Sequence, residues 1–417
     1  MDKDQFFFKE LSWEELAPYA AKETDLVNGL NNSYSKLRLF GTKEQNVRVT
    51  LFRDHHAWCP YCQKVWLWLE WKRIPYKIKK VTMRCYGRKE DWYLKKVPSG
   101  ILPALEIDNQ LFTESDNILV QLEKIFGPLG LPIEENKTVE LRILERKLFR
   151  AWCIWLCQPS LFENMEIRKK NNFQNIAREM ETNLTKSTGV FLDPITYNDG
   201  KSYPGTADIV FIPYLERMNA SLAYYKGFKL REEHPAINSW LGELEKSNVY
   251  RGSQGDFHTH AHDLPPQMGG CYTYKNTKQS ILSSLIDNGT GLGEIETTYS
   301  AKYMNRNETP ESIALARVIK HKDKIKETNP MNSESFDQPL RASLTRMICK
   351  RNTLANAKSA SGLRYLKDRI SVPRDMPLLS ARSFRQALEE TAKLDGIAQG
   401  PTISTKDRFD QNPQPFL

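Results

Sequence analysis

The sequence contains one closely spaced cysteine pair, and its spacing suits thiol–disulfide chemistry. Cys59 and Cys62 enclose Pro60 and Tyr61, and Trp58 precedes them. If a helix begins here, Cys59 meets unpaired backbone N–H groups and the positive end of the helix dipole, which both stabilise a thiolate. Pro60 suits the first helical turn because it lacks an N–H. The pattern predicts Cys59 as the nucleophile and Cys62 as the thiol that resolves a mixed disulfide.

Other interpretations of these thiols stay open from the residues alone. Cys62 is alternatively a small buried hydrophobe, with only Cys59 reactive. A zinc site is less favoured, because one Cys-x-x-Cys supplies two of the four ligands that structural zinc usually takes. Cys153 and Cys157 share a helix face but fit core packing better. No metal site is predicted, although one polar loop carries three histidines: His258, His260 and His262.

The segments around the pair predict a thioredoxin-like order of elements. Residues 47–52 alternate apolar and polar side chains, as a strand does, and residues 59–72 have helical periodicity. A second strand near 76–78 follows, then a hairpin over 105–112. Ser115 can cap a helix that runs to Phe126. The order is β-α-β, a loop-rich stretch, then β-β-α.

Beyond a Gly- and Pro-rich linker at 127–132 the periodicity turns helical. The predicted fold is therefore an α/β thioredoxin-like domain, an all-α domain and an additional, mainly α C-terminal domain. The polar stretch 252–270 is interpreted as a boundary loop. The predicted limits are an N-terminal extension and three domains: 1–45, 46–127, 133–251 and 271–417.

Composition restricts the setting in which this chain works. Seven cysteines, an odd number, in a chain of 417 residues without a recognisable secretory signal favour a reducing compartment. No apolar run reaches the roughly 18 residues of a membrane span. Residues 271–417 carry 23 Lys and Arg against 16 Asp and Glu. This excess of positive charge is compatible with binding to a protein partner. Few aromatic residues lie among the basic ones, which argues against nucleic-acid binding.

The stretch VPSGILPALEIDNQLFTESDNIL resembles the glutathione-binding signature of the glutathione transferase superfamily. The resemblance extends over about residues 47–250, and it includes the Thr-Ala-Asp run that begins at Thr206. It implies a cis peptide bond before Pro103, which leaves the backbone of Leu102 free to pair with the cysteinyl unit of glutathione. It also implies that Glu114 and Ser115 hold the γ-glutamyl end.

Further site residues follow from the same resemblance. Lys89 matches a lysine that meets the glycyl carboxylate in omega-type members, and Tyr61 lies beside the thiol. Trp152, Trp155 and Tyr61 are candidates for lining the acceptor pocket, although aromatic stripes on helices more often form the core.

A cysteine at the active position resembles the thiol-transferring classes, and CPYC with extensions at both ends resembles the iota class of photosynthetic organisms. The implied function is a glutathione-dependent thiol-disulfide oxidoreductase, with dehydroascorbate reduction as a close variant. The implied location is the plastid stroma or a cyanobacterial cytoplasm. Glutathione is the expected cofactor, and a disulfide or glutathionylated molecule is the expected acceptor.

Two alternatives belong to other functional classes. A CPYC site can hold a [2Fe-2S] cluster bridged by a dimer, with Cys59 and glutathione as ligands on each side. The fold can also serve as a ligand-binding module or as a scaffold subunit of a plastid assembly, with residues 271–417 making the contacts.

Overall fold

A computed structural model of the chain describes residues 7–196, 200–289, 292–304, 308–396 and 398–414. The chain divides into two compact units. The larger unit comprises Thr24–Ser283, Gly293–Tyr299 and Thr405–Leu417. The smaller unit comprises Met1–Glu23, Ser284–Leu292 and Ser300–Ser404.

The N-terminal residues differ from the predicted single extension over 1–45. Helix α1 (Trp13–Leu16) belongs to the smaller unit, where the side chain of Leu16 is fully buried in the apolar core. From Thr24 onward the chain belongs to the larger unit. There Arg38 forms a buried ion pair with Glu70 at 2.8 Å. The segment before residue 46 is therefore divided between the two units. Leu16 packs in the core of the smaller unit, and Arg38 pairs with Glu70 in the larger unit.

The first part of the larger unit is the thioredoxin-like domain. Its elements, in chain order, are β1 (Leu37–Arg38), β2 (Val49–Asp54), α2 (Pro60–Lys72), β3 (Tyr76–Val81), α3 (Asp91–Lys96), β4 (Ala104–Ile107), β5 (Gln110–Thr113) and α4 (Ser115–Phe126). The sheet order is β1-β3-β2-β4-β5. Strands β2 and β3 are parallel, whereas the other neighbouring strands are antiparallel.

Strand β2 lies at the centre of this sheet, which explains its near-complete burial. Leu51 faces Ile78 of β3 on one side and Leu105 of β4 on the other. Helix α2 is buried over almost its whole length and includes Trp66 and Trp68 in the core. Residues 55–59 form the loop between β2 and α2. Because both of these elements are buried, they hold the two ends of the loop rigidly.

The second part of the larger unit is helical. It contains α5 (Asn136–Cys157), α6 (Glu163–Lys186), a small hairpin of β6 (Pro194–Thr196) and β7 (Ser202–Pro204), α7 (Thr206–Lys226), α8 (Leu230–Glu233), α9 (Pro235–Lys246), α10 (Asn248–Arg251) and α11 (Phe257–Met268). Helix α7 is central, since almost every one of its residues is buried. It packs against α2, α5 and α11.

The predicted boundary loop at 252–270 is largely helix α11. Asp256 caps this helix, because its carboxylate accepts a hydrogen bond from the N–H of Thr259 at 2.9 Å. His258 and His260 are buried side chains of the larger unit and not part of a solvated loop. The polar composition and two prolines obscured a helix that tertiary contacts stabilise.

The smaller unit is helical, as the sequence predicts. After α12 (Thr277–Asp287), in which the boundary between the units falls, come α13 (Pro310–Thr328), α14 (Ser333–Cys349), α15 (Ala360–Arg369) and α16 (Leu378–Asp395). Short 3₁₀ helices occupy Ala17–Tyr19, Glu44–Asn46, Gly293–Ile295, Ala301–Tyr303 and Phe409–Gln411. The predicted C-terminal domain over 271–417 differs at both ends, because residues 271–283, Gly293–Tyr299 and the residues from Thr405 belong to the larger unit. There Arg408 forms a buried ion pair with Asp263 at 2.6 Å.

The expected fold class is confirmed: a thioredoxin-like α/β domain, a helical domain and a further helical region. Within the described ranges, none of the helices has both the length and the apolar composition that crossing a lipid bilayer requires.

Candidate functional site

Cys59 lies at the junction between β2 and α2. It is the N-cap residue of α2, and Pro60 occupies the first helical position. The residue is 5% exposed. Its thiol therefore stands at the end of the helix where N–H groups are unpaired and the dipole is positive, the arrangement that stabilises a thiolate.

Asp54, the last residue of β2, fixes the loop that carries Cys59. One carboxylate oxygen accepts hydrogen bonds from the N–H groups of Trp58 at 2.6 Å and Cys59 at 3.2 Å. The other oxygen is buried and has no hydrogen-bond partner among the described residues. The sequence interpretation missed Asp54, although a charged residue ending an otherwise buried strand is a recognisable signal.

Cys62 lies one helical turn beyond Cys59, but its environment differs. It is 1% exposed, and burial raises the pKa of its thiol well above the usual range. The same pKa is raised further because the thiol donates a hydrogen bond to Cys59. Cys62 is therefore a protonated donor to Cys59 in the reduced protein, an arrangement close to the alternative of a single reactive cysteine.

Arg217 of α7 supports the loop from the helical domain. Its guanidinium donates to the carbonyl of Trp58 and, at 3.0 Å, to the side chain of Gln63. The group is buried, and burial lowers its pKa, while Glu216 and Cys59 act in the opposite direction. Sequence reasoning missed Arg217 too; the available signal was the charged pair Glu216 and Arg217 in the middle of a helix with a long apolar run before it.

Lys89 lies within electrostatic range of the thiols. Its ammonium group donates to the carbonyl of Thr82 at 3.1 Å. Burial lowers the pKa of Lys89, and the negative charge that Cys62 and Cys59 can carry opposes this effect. Lys89 is thus a buried cation whose charge acts on both thiols.

The loop before β4 lies beside the same end of the sheet. The Leu102–Pro103 peptide bond is cis, as the resemblance implies. Ala104, the next residue, pairs with Phe52 of β2. Strand β2 continues directly into the Cys59 loop. The backbone of Leu102 therefore lies at the same end of the strands as Cys59.

Glu114 and Ser115 form the start of α4. Glu114 is exposed and has φ 65°, a conformation that non-glycine residues seldom adopt and that is concentrated at functional sites. Ser115 is buried at the first helical position. An ion pair at 2.5 Å between Lys64 of α2 and Asp116 of α4 links this helix start to the helix that begins at Cys59.

Two of the three aromatic residues predicted to line an acceptor pocket lie in the core. Trp152 and Trp155 are core residues, with their indole N–H groups bonded to Ser221 at 2.9 Å and Glu166 at 2.6 Å. Tyr61 remains 38% exposed. A cavity of about 430 Å³ lies along α5 instead, and it is lined mainly by charged side chains: Asp116, Arg142, Glu145, Arg146, Lys147 and Arg150, with Val139, Ile143 and Val210.

The three groups Asp54, Cys59 and Cys62 lie close enough for their ligand atoms to fall within 4.8 Å of one another. They supply three donors, and one carboxylate oxygen is already bonded to two N–H groups. These residues could hold a metal only with further ligands, such as glutathione or a second copy of the chain.

The described site resembles known proteins over a limited part of the chain. Residues 58–125 match the family of the glutathione S-transferase N-terminal domain. Glutathione S-transferase DHAR3, chloroplastic, of Arabidopsis thaliana is 26% identical over 200 residues, which are 48% of this chain and 69% of the relative. Glutathione S-transferase L3 of Arabidopsis thaliana is 25% identical over 203 residues, 48% of this chain and 79% of the relative.

One solved structure aligns with about half of the chain. Chlamydomonas reinhardtii dehydroascorbate reductase aligns at a TM-score of 0.40 and 21% identity, covering 50% of this chain and 93% of that protein. Residues 58–125, which contain Cys59, Lys89 and Ser115, are therefore similar to the glutathione S-transferase N-terminal domain, and the curated similarity covers about half of the chain.

Proposed function

We propose that this protein is a glutathione-dependent thiol–disulfide oxidoreductase and that Cys59 is its nucleophile. The observation that carries the proposal is the position of Cys59 as N-cap of α2, with its N–H bound by Asp54 and its sulfur accepting a hydrogen bond from Cys62. A helix N-terminus is a characteristic position of reactive cysteines, because unpaired N–H groups and the helix dipole act on the thiol there.

The reaction proceeds in two exchange steps. The Cys59 thiolate attacks the glutathione sulfur of a glutathionylated acceptor, breaks the S–S bond and releases the acceptor as a thiolate that takes a proton from water. A second glutathione thiolate then attacks the glutathione sulfur on Cys59, giving glutathione disulfide and regenerating the Cys59 thiolate. Because Cys62 is buried and protonated, it acts as a hydrogen-bond donor, and glutathione resolves the intermediate.

Glutathione would lie across the thioredoxin-like domain. The backbone of Leu102 before Pro103 would pair with its cysteinyl unit, Glu114 and Ser115 would bind its γ-glutamyl end, and Lys89 would attract its glycyl carboxylate. The two Arabidopsis relatives are named glutathione S-transferases, which supports glutathione as the cosubstrate. Dehydroascorbate reduction is a variant that uses the same nucleophile.

The decisive experiment is glutathione-dependent reduction of a glutathionylated peptide by the wild type, Cys59→Ser and Cys62→Ser. Activity should vanish in Cys59→Ser and persist in Cys62→Ser. A parallel assay with dehydroascorbate identifies the acceptor class. Loss of activity in both variants would make Cys62 the resolving thiol. A folded, reduced wild type that acts on neither acceptor would refute the enzyme proposal.

A cluster-binding function is the second candidate, because Asp54, Cys59 and Cys62 converge in one buried place. In that case anaerobically prepared protein would be brown and dimeric with glutathione present, and Cys59→Ser would lose the colour. Protein that stays colourless after reconstitution with iron and sulfide would exclude this function. A scaffold would instead co-purify with a large complex regardless of the Cys59→Ser change.

We propose the plastid stroma, or the cytoplasm of a cyanobacterium, as the setting, and a relative named chloroplastic supports this proposal. Microscopy of the full chain fused to a fluorescent protein in a photosynthetic cell tests it. Fluorescence outside the photosynthetic compartment would overturn it.

A further inference from the structure

A second pair of thiols lies in the helical part of the larger unit. Helix α5 ends at Cys157, and the extended segment after α11 contains Cys271. The N–H of Tyr272 donates to the carbonyl of Leu156 at 2.8 Å, so a backbone hydrogen bond joins the immediate neighbours of both cysteines. This hydrogen bond holds the backbone next to Cys157 beside the backbone next to Cys271.

The two thiols are in direct contact and play different parts. The thiol of Cys271 donates a hydrogen bond to Cys157, which lowers the pKa of Cys157 and raises that of Cys271. Cys157 is therefore the thiol that ionises first, and Cys271 stays protonated beside it.

A buried cation favours the thiolate at this place. Lys226, the last residue of α7, adds to the lowering of the pKa of Cys157 and opposes the rise in the pKa of Cys271. Its ammonium group is held by Glu166 at 3.1 Å, and its side chain is 1% exposed.

Solvent exposure distinguishes Cys157 and Cys271 from most other cysteines of the larger unit. Cys157 and Cys271 are both partly exposed, whereas Cys62 and Cys85 are buried. Cys153 lies one turn before Cys157 and is also partly exposed, but burial raises the pKa of its thiol to about 12. An oxidant that enters from solvent at the end of α5 therefore meets Cys157 with a partner thiol beside it, whereas Cys59 is buried.

We propose that Cys157 and Cys271 form a second dithiol site, which low-molecular-weight disulfides such as glutathione disulfide oxidise to an intramolecular disulfide. The Cys157 thiolate attacks one sulfur of glutathione disulfide, forms a mixed disulfide and releases a glutathione thiolate. Cys271, losing its proton to water, then attacks the sulfur of Cys157 and releases the second glutathione. Two thiols are oxidised, one disulfide is reduced, and no other reactant is needed.

The site goes beyond the function proposed for Cys59 and does not depend on it. In its oxidised form it would join the end of α5 covalently to the segment that follows α11. The reduced form holds the same two segments by the Tyr272–Leu156 hydrogen bond. Oxidation would therefore fix a contact that already exists and would require little rearrangement.

The test uses the full chain carrying Cys59→Ser and Cys62→Ser, so that the first dithiol cannot contribute. The protein is incubated with glutathione disulfide, its free thiols are blocked in denaturant, and its peptides are mapped by mass spectrometry with and without reduction. The expected product is a linked peptide pair containing Cys157 and Cys271. It should be the main oxidised species, and glutathione should reverse it.

Two further variants test whether the disulfide specifically joins Cys157 and Cys271. Adding Cys271→Ser should stop the reaction at a glutathionyl group on Cys157, and adding the control Cys153→Ser should leave the linked pair unchanged. Persistent glutathionylation without linkage in the parent protein, or a link between Cys153 and Cys157, would overturn the proposal. These outcomes do not bear on the activity of Cys59, which is assayed separately in the chain with all its cysteines.

Discussion

The backbone N–H of Cys59 donates a hydrogen bond to the carboxylate of Asp54 at 3.2 Å, and the same oxygen accepts a bond from Trp58. Asp54 is fully buried, so these bonds are not shared with water. The end of the central strand thus sets the position of Cys59, the proposed nucleophile, at the start of the next helix. In the proposed reaction Asp54 is a positioning residue, since it acts through the backbone of Cys59.

Replacing Asp54 with Ala should therefore impair the site more than replacing it with Asn. The Ala change leaves two buried N–H groups without an acceptor, which costs about 1–3 kcal/mol each. We expect at least a roughly 10-fold loss of kcat/KM in Asp54→Ala, since misplaced reacting groups slow catalysis. Asp54→Asn keeps an acceptor oxygen and should retain more activity.

The readout includes the pH dependence of Cys59 alkylation in the folded variants, which a purely structural defect would leave unchanged. Equal activities of the Ala and Asn variants would contradict the positioning role.

Lys89 should govern affinity for glutathione. Removing its ammonium group in Lys89→Ala should raise the KM for glutathione by about 10-fold or more, because a hydrogen bond to a charged group contributes about 1.5–3 kcal/mol. The control is Lys95→Ala, the same substitution at an exposed lysine of the same domain. Steady-state kinetics with varied glutathione provide the measurement, and equal KM values for the two variants would remove Lys89 from the binding site.

Asp208 should be a major determinant of stability. Its buried carboxylate accepts bonds from Leu192 N–H at 2.7 Å, Asp193 N–H at 2.9 Å and the indole N–H of Trp240 at 2.8 Å. Asp208→Ala leaves these donors unpaired, so we expect the free energy of unfolding to fall by about 3 kcal/mol or more.

Urea unfolding measures this change, with Glu140→Ala, an exposed acid on α5, as the control. A loss below about 1 kcal/mol in Asp208→Ala would show that water or other groups satisfy the freed donors.

His55 should make stability depend on pH. Burial lowers the pKa of His55 to about 4 from its ordinary 6.5, with Glu90 opposing the effect. Between these values the unfolded chain binds a proton that the folded chain does not, so stability from this group rises with pH from 4 to 6.5 and is lost on acidification.

The expected loss between pH 7 and pH 5 is about 2 kcal/mol. Comparing urea unfolding of the wild type and His55→Asn at both pH values isolates the contribution, because other acids titrate alike in both proteins. If the two proteins lose equal stability, His55 does not carry the effect.

The sequence alone determined those features that depend on local chemistry. Alternation of apolar residues identified the strand before Cys59, and the Cys-Pro-x-Cys spacing located the start of α2. Helical periodicity identified most of the later helices. The family resemblance indicated the cis peptide bond before Pro103. The sequence also indicated a helix start near Ser115, but the N-cap is Glu114, and Ser115 is the first helical residue.

Tertiary structure decided the features that depend on contacts between residues far apart in the chain. Asp54 and Arg217 became part of the Cys59 site only when β2 and α7 packed beside it, since neither belongs to a local motif. Burial keeps the thiol of Cys62 protonated, so that it donates a hydrogen bond to Cys59. The spacing of the two cysteines in the sequence does not reveal this burial. The contact of Cys157 with Cys271 joins residues more than a hundred positions apart, and only the path of the chain after α11 brings their thiols together.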